Sequence, residues 1–176
     1  MGKGTKLARQ SAVGSDEKHE NRRQEDVVRR FLLDLASINV HLDEIRKFWA
    51  KSLGVSGPQW MILMALSELD RGQGVSGKDV SELLHIDPSF ITTQTKLLER
   101  AGLVRRLASS EDARVILMSL SDKALRQIGA LASKQELLNK FIFAEMDGRA
   151  FADMAGKIAS LKTKLHKATS KIAAEF

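Results

Sequence analysis

The strongest constraint on the fold lies between residues 76 and 121, where the apolar spacing changes from helical to alternating within one short stretch. Ser76 precedes a short amphipathic run to about Leu84, with Val80, Leu83 and Leu84 placed to face inward. Asp87-Pro88 opens a second run: an aspartate suits a helix N-cap, and proline at the first helical position gives up an N–H that no helix bond needs. Gly102 ends it, as glycine ends many helices. Residues 103–107 and 115–120 then alternate as strands do, around a polar tip containing Ser109, Ser110, Glu111, Asp112 and Arg114. Ser121-Asp122 starts another helix, predicted to run to about Met146 before Gly148 breaks it.

Helix, turn, helix and hairpin in this order predict a winged helix-turn-helix, a device that lays its second helix in the major groove of DNA. On that second helix, Ser89, Thr92, Thr93 and Lys96 fall at i, i+3, i+4 and i+7 on one face, opposite Ile91, Leu98 and Ala101. Solvated helix faces usually favour better helix formers than threonine. Short hydroxyl side chains and one lysine suit base edges and phosphates. The hairpin adds Arg105 and Arg106, which strand alternation sends to opposite faces, and Arg114 past the tip. Arg114 stands two residues after Asp112, close enough for a charge-assisted bond. An arginine on a wing is suited to the minor groove.

Two long apolar seams flank this segment. Val28, Phe31, Leu35, Ile38, Leu42, Ile45 and Trp49 step alternately by three and four, as do Phe151, Met154, Ile158, Leu161, Leu165, Ala168 and Ile172. Such a stripe holds a helix against a partner. The expected fold is therefore mainly α with a small β-wing, the winged helix-turn-helix lying between long N- and C-terminal dimerisation helices. The expected organisation is a flexible basic tail over residues 1–24, a dimerisation region over 25–55 and 122–176, and a DNA-binding region over 56–121.

Charge qualifies this reading. The chain of 176 residues carries a net +6, yet residues 72–120 hold as many acidic as basic groups, so the excess lies toward the two ends. The placement of cations within the reader must therefore support DNA binding, since net charge does not. No cysteine is present, so there is no thiolate metal site and no thiol to sense oxidants. The histidines at 19, 41, 85 and 166 lack metal-ligand spacing, and the glycines at 72, 74 and 77 do not lead a strand into a phosphate-binding helix. The residues predict neither an enzyme nor a cofactor. No apolar run reaches the roughly 18 residues that would span a membrane, and the first residues lack the apolar stretch of a secretory signal, so a cytoplasmic protein is expected.

The words Leu-Leu-Glu-Arg-Ala-Gly-Leu-Val-Arg-Arg at 97–106, Asp112-Ala113-Arg114 and Leu120-Ser121 resemble the multiple-antibiotic-resistance regulator (MarR) family. Ala113 stands where that family usually has a second wing arginine, and Ala124 where glycine is common. The resemblance implies a homodimer that binds a pseudo-palindromic operator on double-stranded DNA, usually as a repressor, and is released by a small molecule. It implies a ligand pocket that maps here to His41, Arg46, Trp49 and Trp60, where a cation beside indoles suits an aromatic carboxylate or its coenzyme A thioester. The alternative is a winged-helix module that binds other proteins rather than specific DNA.

Overall fold

The computed structural model describes the backbone of residues 4–175 and the side chains of residues 20–175. Residues 1–3 of the expected tail, and the side chains of residues 4–19 including His19, lie outside the described residues. The elements are α1 (Gly4–Ser52), α2 (Gly57–Leu69), β1 (Val75–Ser76), α3 (Gly77–Leu84), α4 (Pro88–Arg100), β2 (Val104–Ala108), β3 (Ile116–Leu120), α5 (Asp122–Gly129), α6 (Ala132–Ile142) and α7 (Gly148–Glu175). The chain divides into two compact units, Met1–Leu125 and Arg126–Phe176. It is mainly α-helical with one small antiparallel sheet, a winged helix-turn-helix bounded by long helices.

Within the first unit the helix ends are set by side chains. Ser56 and Gln59 form a reciprocal cap on α2, with Pro58 in its first turn. Ser76 and Asp79 do the same for α3. The Asp87 carboxylate accepts the N–H groups of Ser89 (2.8 Å) and Phe90 (3.3 Å) at the start of α4. At its end Gly102 takes a φ of +70°, a conformation that costs an L side chain about 1–2 kcal/mol. The sheet order is β1-β3-β2, with Arg106 opposite Met118 and Arg105 opposite Ser119. The core joins Ile62, Leu63 and Leu66 of α2 to Val80, Ile91, Leu98, Leu103 and Met118, and Trp49 at the end of α1 is also buried.

The structure corrects several expectations. The α1 helix begins at Gly4 rather than near residue 25, since the preceding sequence is rich in lysine, arginine, glutamate and alanine, all tolerant of helix. Val75–Ser76 is a short strand on β3 as well as the cap of α3; two residues are too few to show a period. The helix expected from Ser121 to Met146 is two helices, interrupted after Gly129, where glycine raises the cost of continuing. Leu83 is 37% exposed and Ala101 is exposed, so each lies at the edge of its face rather than inside. Thr95, unremarked in the sequence, is fully buried beside Ile91 and Leu98 on α4.

The seams differ from ordinary core stripes. In α1, Val28, Phe31, Ile38 and Leu42 are each about half exposed, and among the described residues of this helix burial is reached only at Trp49 and Ala50. In α7, Phe151, Ile158, Leu165 and Ile172 are likewise exposed.

Candidate nucleic-acid interface

The inner face of α4 is fixed by Ile91, Thr95 and Leu98, which leaves Ser89, Thr92, Thr93 and Lys96 all on the exposed side, as the spacing predicts. Their hydroxyl protons are spent inward. Thr92 Oγ1 donates to the Pro88 carbonyl (2.9 Å) and Thr93 Oγ1 to the Ser89 carbonyl (3.0 Å). Ser89 Oγ donates to the Asp87 carboxylate. That bond, followed by the backbone N–H groups of Ser89 and Phe90, holds the Asp87 carboxyl below its ordinary pKa. Each hydroxyl oxygen keeps lone pairs, so this face offers acceptors and methyl groups.

A groove of about 430 Å³ separates α4 from the wing. Thr92 and Thr95 line one side, Arg106 and Arg114 the other, and Lys78 of α3 completes it. Arg106 has a side chain only 14% exposed, in an ion pair of 3.5 Å with Glu99, and its buried Nε has no bonding partner among the described residues. Arg114 is 91% exposed and points from the wing, yet its guanidinium is held twice by Asp112, through Nε to Oδ1 (3.1 Å) and Nη2 to Oδ2 (3.2 Å). Those bonds, with the Arg114 backbone N–H, keep the Asp112 carboxyl below its usual range. This is the short-range brace that the spacing of the two residues predicts.

Arg105 does not join them. It lies on the opposite face of β2, donates to the Leu120 carbonyl (3.2 Å) and sits 3.6 Å from Asp122 at the start of α5. Sequence reasoning passed over Lys78 and a clasp in which Gln59 Nε2 donates to Gln94 Oε1 (3.0 Å), tying α2 to α4. A cation in the first turn of the helix before the turn is a signal for the former. Nothing local marks the latter, because its partners stand 35 residues apart.

None of the four residues assigned to the ligand lines the groove beside α4. Trp49 and Trp60 are core residues, 8% and 4% exposed. Arg46 is part-buried and donates to Asp43 (3.0 Å), while His41 is exposed near Glu44 at 3.5 Å. Five residues apart on one helix, His41 and Arg46 face directions about 140° apart. The Asp43 carboxyl is held low first by its bond to Lys47, and Arg46 adds to the same effect. Among the described residues, no group of His, Cys, Asp and Glu could hold a metal ion, and no helix is long and apolar enough to cross a membrane.

The arrangement of α2 to β3 defines a winged helix-turn-helix protein. Residues 53–115 match the family described as the MarR family. An organic hydroperoxide resistance transcriptional regulator of Bacillus subtilis (strain 168) is 33% identical over 70 residues, covering 40% of this chain and 46% of that protein. The chain spans about half the length of the first curated relatives it matches, 46% and 53%. The fold is shared with MepR of S. aureus in complex with DNA, at a TM-score of 0.63 and 14% identity, covering 74% of this chain and 93% of that one. It is also shared with CouR of Rhodococcus jostii RHA1 bound to p-coumaroyl-CoA, at a TM-score of 0.63 and 19% identity, covering 72% and 87%.

Proposed function

We propose that this chain is a ligand-responsive transcriptional regulator of the cytoplasm, a homodimer that represses by occupying a pseudo-palindromic operator. One observation carries the reading: the acid-free stripe of Ser89, Thr92, Thr93 and Lys96 faces out from α4, with Arg106 and Arg114 across the adjoining groove. In this reading α4 enters the major groove. The hydroxyl oxygens accept from the exocyclic amines of cytosine or adenine, and the threonine methyls meet thymine methyls. Lys96 contacts phosphate, and Asp112 aims Arg114 at the minor groove. Arg105, tied to Leu120 and Asp122, contributes through the backbone of the wing rather than by touching DNA.

The exposed stripes of α1 and of α7 supply apolar surface that a second copy would cover. Residues 25–55 and 122–176 are thus the dimerisation region, and 56–121 the reader. Two readers must meet half-sites about 34–36 Å apart, so a ligand that favours another spacing releases the DNA. The structure of CouR with an acyl-coenzyme A ligand supports an aromatic carboxylate or its thioester as effector. Arg46, part-buried on α1 one turn before Trp49, is the residue proposed to bind it. Having no cysteine, the chain cannot respond by thiol oxidation.

A mobility shift against DNA upstream of the gene, with random duplex as competitor, tests the reading. A complex that survives the competitor supports it. Equal affinity for every duplex would instead favour a protein-interaction module.

A further inference from the structure

We propose that the groove behind the wing, on the face of the hairpin turned away from Arg106 and Arg114, binds a small amphipathic carboxylate. The groove measures about 530 Å³, within the range of small-molecule sites, and lies wholly within the first unit. Its floor is Leu66, Leu117 and Leu120. Its rim carries Leu107 and Leu125, which are 71% and 51% exposed and so present large apolar side chains to water.

Two charged residues line this space, and they are not equivalent. The Asp70 carboxylate accepts the backbone N–H groups of Gly72 (2.8 Å) and Gly74 (3.0 Å), which turn the loop before β1. Arg105 has five donors to offer and, among the described residues, directs contacts only to the Leu120 carbonyl and, at 3.6 Å, to the exposed Asp122. An exposed pair of that length is weak. The guanidinium is therefore the charge that a ligand can recruit, and a carboxylate matches its fork. A short hydrocarbon body lies along the leucines while the headgroup meets Arg105.

The site also has a route to the reader. Arg105 and Arg106 are neighbours on β2, so a ligand drawing Arg105 outward shifts the strand that carries Arg106 against α4. That consequence rests on the proposed regulatory function, whereas binding itself does not, so the experiment is run without DNA.

Octanoate, octan-1-ol and octylamine are titrated into the full chain at millimolar concentration while the methyl resonances of Leu107, Leu117 and Leu125 are followed by NMR. Octanoate is expected to shift all three and to bind about tenfold more tightly than octan-1-ol, a charge-assisted bond being worth more than a neutral one. Octylamine should bind least. Arg105→Gln should bring octanoate to the affinity of octan-1-ol without altering the latter. Leu125→Asp, at a half-exposed position that tolerates charge, should weaken octanoate and not octylamine; it keeps the test open should Arg105→Gln fail to fold. No shift at these methyls, equal binding of octanoate and octylamine, or octanoate affinity unchanged in both variants would overturn the proposal. Operator affinity measured afterwards with and without octanoate reports the regulatory consequence separately.

Discussion

Replacing Thr93 by valine isolates what the α4 stripe contributes. Valine keeps the branched shape and one methyl and removes only the hydroxyl. The lost bond to the Ser89 carbonyl is an auxiliary one, of the kind that competes with the helix rather than builds it. Threonine and valine have similar helix propensities. Thermal stability should therefore change by no more than about 0.5 kcal/mol, as for most exposed substitutions. Binding should behave differently. With its proton committed inward, the hydroxyl can act toward a base only as an acceptor, and losing a specific base contact costs about 1–3 kcal/mol. At 1.4 kcal/mol per tenfold, that is a loss of roughly 5- to 150-fold in operator affinity. The operator is first selected from a random duplex pool, and fluorescence anisotropy then compares wild type and Thr93→Val on operator and scrambled duplex. The operator should weaken by that factor and the scrambled duplex should not change. An unaltered operator affinity, or an equal loss on both duplexes, would refute the assignment of Thr93 to base recognition.

Four other outcomes are expected. Wild type should sediment at twice the chain mass of 19.5 kDa, and Leu35→Glu or Ile38→Glu should give monomer or insoluble protein; a monomeric wild type at micromolar concentration contradicts the seam reading. Arg114→Ala should weaken operator and random DNA alike and lower the salt slope by about one, and a loss confined to the operator would contradict a phosphate or minor-groove role. Because the Asp112 carboxyl is held below its ordinary value, the brace contributes to order above the unfolded pKa and is lost as pH falls through the folded one. The Asp112 carboxyl resonance should thus titrate below the range of an unbraced aspartate, and titration at or above that range would exclude the brace. Arg46→Ala should blunt release of operator by an aromatic carboxylate while leaving ligand-free binding unchanged; release only by neutral or cationic compounds would exclude the anionic effector.

The elements that were legible in the sequence are those whose causes are local. Asp87-Pro88 states where α4 begins and Gly102 where it ends, so the exposed stripe between them followed from spacing alone. The brace from Asp112 to Arg114 was legible for the same reason. The break after Gly129 was not, because a single glycine inside a helical pattern is compatible with continuation as well as interruption. Nor was the pairing of Val75 with Met118, which depends on a β3 strand far along the chain. The candidate ligand residues show the limit of reading side-chain type: tryptophan beside a cation reads as an aromatic cage and as core alike, and burial puts both indoles in the core.

The wing shows how one sequence feature acquires opposite roles through geometry. Arg105 and Arg106 are chemically identical and adjacent, and no property of either side chain separates them. The pleat does. Opposite Met118, Arg106 turns toward α4, is largely buried and meets Glu99, so its charge is placed beside Thr92 in the groove between α4 and the wing. Opposite Ser119, Arg105 turns to the leucine-lined face. A slip of one residue in the pairing of β2 with β3 would exchange these roles. The register is held at both ends: Val104 is buried opposite Leu120 at one, and the backbone N–H of Ser109 donates to the Val115 carbonyl (2.8 Å) at the other. The neutral balance of residues 72–120 is thus no argument against DNA binding, because the acidic groups Glu99 and Asp112 are spent on orienting Arg106 and Arg114 toward the groove side.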